Sequence, residues 1–169
     1  MNAEEIFDVV DAADRVVERL PRGDVHARGL RHRAAHILVY DRDGRLYVQR
    51  RSFAKECSPG RWDTSAAGHL NSGEDYHTAA VRELEEELGL VAHAPLEALF
   101  KIDASPATGQ EFVWVYRHVT DAAVRPDPTE IIDGRWCEAS ELEAWLAREP
   151  ESFTGSFHLI WPRVRGRSA

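Results

Sequence analysis

Hydrophobic and polar positions alternate along much of this chain and take up a helical period in one stretch. Short apolar runs at Ile6–Val10 and Arg15–Arg19 flank Asp11-Ala-Ala-Asp14 and stop at Pro21. That pattern fits a β-hairpin or one amphipathic helix, and the hairpin is the preferred reading. His36–Tyr40 and Leu46–Gln49 form a second hairpin around Asp41-Arg-Asp-Gly44, whose Asp/Gly chemistry suits a tight turn with one residue at positive φ. Trp62–Leu70 reads as a further extended segment. From Glu74 to Leu88 the apolar period becomes helical: Ala80, Val81, Leu84 and Leu88 share a face, and Gly89 stands where a left-handed C-cap belongs. Phe112–Val119 reads as a buried strand and Arg135–Cys137 as a shorter one. A second helix follows over Ser140–Arg148, opened by Ser140 with Glu143 three residues on as a capping box. Strands before, between and after two helices predict an α/β fold layered on a mixed β-sheet.

The chain has 169 residues, enough for one domain spanning 1–169 with a full core. No internal repeat or interdomain linker interrupts it. Hydrophobic residues make up 43% and charged residues 30%, and no apolar run approaches the roughly 20 residues of a membrane helix. A net charge of −8 is the wrong sign for gripping a nucleic-acid backbone, so polymeric DNA or RNA is a poor partner. Cys57 and Cys137 lie far apart without metal-ligand spacing, and the opening Met-Asn-Ala-Glu-Glu lacks the features of a signal peptide. A reducing cytoplasm is the expected compartment.

The stretch richest in chemistry is the helix that carries Glu83, Glu86 and Glu87. At about 100° per residue, Glu83 and Glu87 lie about 40° apart and Glu86 about 60° to the other side, so the three carboxylates share one stripe. Like charges so placed disfavour a helix unless a counter-charge is present. An acidic stripe is ordinarily a solvated face; the alternative is a divalent cation, and hard oxygen ligands suit Mg2+ or Mn2+.

Context decides between these readings. Residues 68–90 fit the Nudix box, G-x5-E-x7-R-E-U-x-E-E-x-G-U with U aliphatic, at Gly68, Glu74, Arg82, Glu83, Leu84, Glu86, Glu87, Gly89 and Leu90. The chain therefore resembles the Nudix hydrolases, from the Arg31 strand to the Glu143 helix, with residues 1–30 as an N-terminal extension. The resemblance implies an α/β/α sandwich around a central mixed sheet, with a loop-helix-loop that binds magnesium at a diphosphate. It implies Glu83, Glu86 and Glu87 as metal ligands, joined by a carbonyl near Ala67 or Gly68. Glu74, Arg82 and Gly89 would brace the motif. The family reaction is hydrolysis of a nucleoside diphosphate linked to another group, and the expected partner is a small phosphorylated metabolite. The general base is either a box glutamate, Glu83 or Glu86, or a glutamate on a later loop. Glu130, six residues before Trp136, takes the latter position by resemblance.

Arg50 and Arg51 after the second strand, and Arg61 before Trp62, are candidates to clamp phosphate, against the plain reading of charged strand ends. Trp62, Trp114 and Trp136 could stack a base, although apolar strand tryptophans are ordinarily core. A monomer or a homodimer paired through the N-terminal hairpin is expected.

Other residues are similar to the branch that contains isopentenyl-diphosphate isomerase: Phe7-Asp-Val-Val-Asp11, Arg28-Gly-Leu-Arg-His-Arg33, Ser58-Pro-Gly-Arg-Trp62 and Gly68-His69. Those isomerases use a cysteine and a glutamate over a histidine-rich metal site. The cysteine before Gly-His is Ala67 here, and a methyl group cannot move a proton. Cys57, ten residues earlier, is read as a buried or partly exposed thiol. The tryptophan of the isomerases' Phe-Ser-Pro-Trp is replaced by Ser156 in Phe153-Thr-Gly-Ser156. His32, His69 and Glu111 have counterparts among the isomerase metal ligands, whereas one carboxylate is Gly109 and His26 is offset by one residue. Hydrolysis has all its parts and isomerisation does not. A non-catalytic nucleotide-binding module is a third reading, which the intact box does not favour. His26, His32, His36 and His69 are read as ordinary hydrogen-bonded groups, with a second metal site left open.

Overall fold

The computed structural model describes residues 5–167. Strand β1 (Ile6–Val10) pairs antiparallel with β2 (Val16–Pro21), which makes the N-terminal segment a hairpin; the short helix α1 (Arg22–Ala27) follows. The central strand β3 (His32–Tyr40) turns at Asp41–Gly44 into β4 (Leu46–Arg51), and Gly44 adopts φ +82° in that turn. The extended segment expected over Trp62–Leu70 divides into β5 (Trp62–Asp63), on β4, and β6 (Ala66–His69), on β3. The break is a change of partner: the buried Ser65 hydroxyl accepts from the Val39 amide at 2.8 Å and donates to the Tyr47 carbonyl.

Helix α2 (Tyr76–Leu88), β7 (Glu97–Ile102), β8 (Glu111–Val119), β9 (Ile131–Cys137), α3 (Ala139–Arg148) and α4 (Gly155–Arg167) complete the described elements. Strands β3 to β9 make one seven-stranded sheet. Parallel pairing of β3 with β8 makes it mixed; β4–β9 and β7–β8 are antiparallel.

Alternation along β3 sends side chains to two cores. Ala34 and Leu38 pack with Leu142 and Trp145 of α3 and Phe157 and Ile160 of α4. Ala35, Ile37 and Val39 pack with Ala80, Leu84 and Leu88 of α2. The result is the expected α/β/α sandwich, with four helices rather than two. The pattern misses α4 because Pro162 lies inside it and arginines interrupt its apolar residues. It misses β7 because the β7–β8 register shifts between Ala98 and Phe100, which breaks the period of two. Helix α3 also starts differently: its capping box is Glu138 with Glu141, not Ser140 with Glu143. The Glu141 carboxylate accepts the Glu138 amide at 3.0 Å, while Glu143 instead receives the Trp161 indole N–H at 3.0 Å.

The hairpin is fastened over the β6–α2 loop. Asp8 accepts from the Ser72 hydroxyl and the Gly73 amide, and Asp14 accepts from Arg33, Tyr76 and Lys101. Phe7 and Val9 close a small third core with Val25 of α1.

Candidate active site

One wall of the site is α2. Asp75 caps it by accepting the Thr78 amide at 2.8 Å, and Gly89 ends it at φ +64°. Glu74 lies just outside the helix, where it receives Arg82 through two hydrogen bonds of 2.8 and 2.9 Å. The same guanidinium reaches Glu83 at 2.7 Å, Glu86 at 3.2 Å and the His69 carbonyl at 3.0 Å. Arg82 thus ties the loop, the strand and the acidic stripe together. Within the stripe, Glu83 and Glu87 are buried, at 9% and 4% exposure, whereas the Glu86 side chain is open to solvent.

Position 68 has to be glycine for a steric reason, since a Cβ there would run into the Glu83 carboxylate. Glu87 receives the Gln49 amide at 3.2 Å and lies against the Ala67 N–H. Burial pushes Glu83 up to about 7 despite the neighbouring Arg82. Burial, reinforced by the charge of Glu83, pushes Glu87 up to about 8 despite Lys55 and Arg51. The donor set is therefore crowded, buried carboxylate oxygen whose charge Arg82, Lys55 and Arg51 offset only in part, which fits a hard divalent cation.

These carboxylates open into a cavity of about 730 Å³. Of the three arginines singled out, only Arg51 lines it. Arg50, its neighbour on β4, points the other way, as strand alternation requires: it donates to the Gly60 carbonyl at 2.8 Å and lies over the Phe53 ring. Arg61 is exposed and away from the cavity. Lys55, which sequence reasoning passed over, lines the cavity and forms an ion pair with Glu130 there. Burial lowers the Lys55 pKa. No spacing rule marks a lone lysine in a loop, so only the fold reveals it. Cys57 is exposed at the rim, and the three tryptophans Trp62, Trp114 and Trp136 do not line the cavity.

The other wall corrects the reading of the histidines as separate groups. His26 of α1, His32 of β3 and His69 of β6 converge with ring centroids 5.1 Å apart, and one ring nitrogen of each lies within 4.8 Å of the others. The offset of His26 in the sequence is immaterial once α1, packed on β1 and β2, carries its ring against His32 and His69. His69 Nε2 is 2.8 Å from the Glu111 carboxylate. His32 Nε2 is buried and, among the described residues, has no hydrogen-bond partner; it lies 3.6 Å from the same oxygen. Phe7 stacks on His32 at 5.8 Å. Burial would raise Glu111, but His69 and His32 outweigh it and hold the carboxyl well below its usual range. Burial lowers His69. His36 stands apart from this cluster, with Nδ1 2.7 Å from the Thr64 hydroxyl. Ala67, Gly109 and Ser156, which occupy isomerase positions, all line the cavity.

The NUDIX domain family matches residues 30–155. The chain belongs to the Nudix family. The protein named Uncharacterized Nudix hydrolase SCO1686 from Streptomyces coelicolor is 40% identical over 147 residues, covering 86% of this chain and 81% of its own. An isopentenyl-diphosphate Delta-isomerase of Burkholderia multivorans is 35% identical over 167 residues, covering 95% of this chain and 93% of its own. The crystal structure of DR0079 from Deinococcus radiodurans matches with a TM-score of 0.81 at 30% identity, covering 95% and 98% of the two chains. Overall identity thus leaves hydrolase and isomerase relatives close together. This Nudix chain keeps every box glutamate, and Ala67 and Ser156 offer the cavity neither a thiol nor an indole. Its enzyme class is that of the Nudix pyrophosphohydrolases. Among the described residues, no helix is long and apolar enough to cross a membrane.

Proposed function

We propose that this Nudix protein is a divalent-cation-dependent hydrolase that splits the diphosphate of a small phosphorylated metabolite by water attack at phosphorus. The observation that carries this reading is the meeting of two buried box carboxylates, Glu83 and Glu87, with Arg51, Lys55 and Glu130 in one cavity. Glu83, Glu86 and Glu87, with a carbonyl of Gly68, would hold Mg2+ or Mn2+. Such an ion neutralises diphosphate charge and lowers the pKa of a bound water. Arg51 and Lys55 supply fixed positive charge for the phosphate oxygens. Glu130 accepts a proton from the attacking water once Lys55 turns from it to a phosphate. The water oxygen bonds to phosphorus, the bridging P–O bond breaks, and the bridging oxygen departs with the other phosphoryl group.

The cluster of His26, His32 and His69 with Glu111 supports a second cation, of the kind that prefers imidazole nitrogen, and the orphaned His32 Nε2 is the observation that favours it. The test is a screen of phosphorylated metabolites with Mg2+ or Mn2+, reading released phosphate and pyrophosphate. Release from a diphosphate is expected. Solvent deuterium entering an intact isopentenyl diphosphate would instead make the protein an isomerase, and binding without turnover would make it a regulatory module.

A further inference from the structure

His36 takes no part in that hydrolysis. This residue is 4% exposed, lines the cavity and pairs across the strands with Ala67. Directly opposed residues of antiparallel strands project to the same side, with Cβ atoms about 5 Å apart. The imidazole therefore stands beside a methyl group that leaves the adjacent space open. Thr64 occupies Nδ1, and among the described residues Nε2 makes no hydrogen bond. Nε2 is not one of the sealed atoms that lack a partner, so it opens to the cavity and takes its partner from water or from a ligand that displaces that water.

The surroundings restrict what that ligand is. Ala34, Ala67, Ala107, Gly109 and Gly155 leave room for a compact group. Among the described residues lining the cavity there is no Phe, Tyr or Trp, and the clustered imidazoles already pack against one another and Phe7. A nucleobase would find no free aromatic face to stack on. An alkyl chain would strand the Nε2 atom dry and unpaired, whereas a hydroxyl would satisfy it.

We infer that His36 is a specificity-determining residue that hydrogen-bonds a hydroxyl of the leaving group, so that the substrates are non-nucleotide diphosphates of small sugars or polyols. This rests on the hydrolase reading of the site. The experiment measures phosphate release with Mg2+ from ribose 5-diphosphate, n-pentyl diphosphate and ADP. Ribose 5-diphosphate is expected to exceed the pentyl compound in kcat/KM by about 100-fold, as a site built to bond a hydroxyl rejects the analogue lacking it, and to exceed ADP by about tenfold or more. His36→Ala should reduce the ribose-to-pentyl preference to below about tenfold, chiefly by raising KM for the sugar; His36→Asn, which keeps a hydrogen-bonding group, should retain part of it. A loss of folding would lower both substrates together, so the preference ratio, taken with a thermal melt, reports the contact itself. Should His36→Ala not fold, the wild-type ranking and His36→Asn decide. Equal or better turnover of the pentyl compound or ADP, or an unchanged preference in the variants, overturns the inference and leaves the hydrolase reading standing. No phosphate from any of the three overturns the inference alone when the wider metabolite screen releases phosphate or pyrophosphate from another diphosphate, and overturns both when that screen is also blank.

Discussion

The glutamate wall of the cavity comes from thirteen consecutive residues of α2, whereas the histidine wall is gathered from α1, β3 and β6, with Glu111 from β8. The two also differ in charge balance. Glu111 is held in its ionised form by His69 and His32, with His69 Nε2 2.8 Å from its carboxylate, so that wall stabilises its own carboxylate. Glu83 and Glu87 are crowded together and buried, and their ionised forms are raised in energy until a cation arrives. The contrast teaches that the helix wall concentrates carboxylate oxygen, the donor that suits a hard cation, while the histidine wall concentrates imidazole nitrogen, the donor that suits a softer one.

The sharpest way to break this comparison is to alter one ligand on each side. Glu87→Gln should lower turnover by about 100-fold or more with the fold intact. His69→Ala should lower it by less than about tenfold with Mg2+, while removing one equivalent of bound Zn2+ in a calorimetric titration. Equal losses of turnover would mean that the walls do not have separate duties. Gly68→Ala drives a methyl into the Glu83 carboxylate; a loss of at least about tenfold in activity and about 1–3 kcal/mol of stability in denaturant is expected. Full activity there would show that Glu83 is free to move. Glu130→Gln should reduce kcat by about 10- to 100-fold, and a steady-state assay showing less than a twofold change would return the base to the helix wall.

The smallest effect is on stability against pH. Glu83 and Glu87 titrate near 7 and 8 in the fold, above the ordinary 4.5. A raised carboxyl binds its proton more tightly in the native state, so stability falls as pH rises from the unfolded pKa through the folded one. His26 and His69 are lowered from 6.5 and act in the opposite sense below that pH. The clean window is therefore about pH 6.5 to 8. In a chelator, Tm should decline across it, and Mg2+ should flatten the decline; a rising Tm would refute the crowding of the two glutamates.

Much of the fold was legible because local chemistry and pattern agreed. Asp41–Gly44 turns two apolar alternations into a hairpin, and Gly89 closes a helix whose buried residues recur at helical spacing. The Arg82–Glu74 brace was expected from the resemblance to the Nudix box, and the structure forms it through two hydrogen bonds. Lys55 was not, since a lysine in a loop carries no period. Nor was the division of Arg50 from Arg51, which follows from the face of β4 that each residue occupies.

The sequence by itself determined the acidic stripe, because helix geometry turns spacing into position over a single continuous element. Only the tertiary structure decided that His26, His32 and His69 meet, and that His36 stands beside Ala67. Those neighbours depend on the β3–β6 register and on the packing of α1 against the N-terminal hairpin. Such long-range packing is selected by burial across the whole chain, and no spacing between the residues records it.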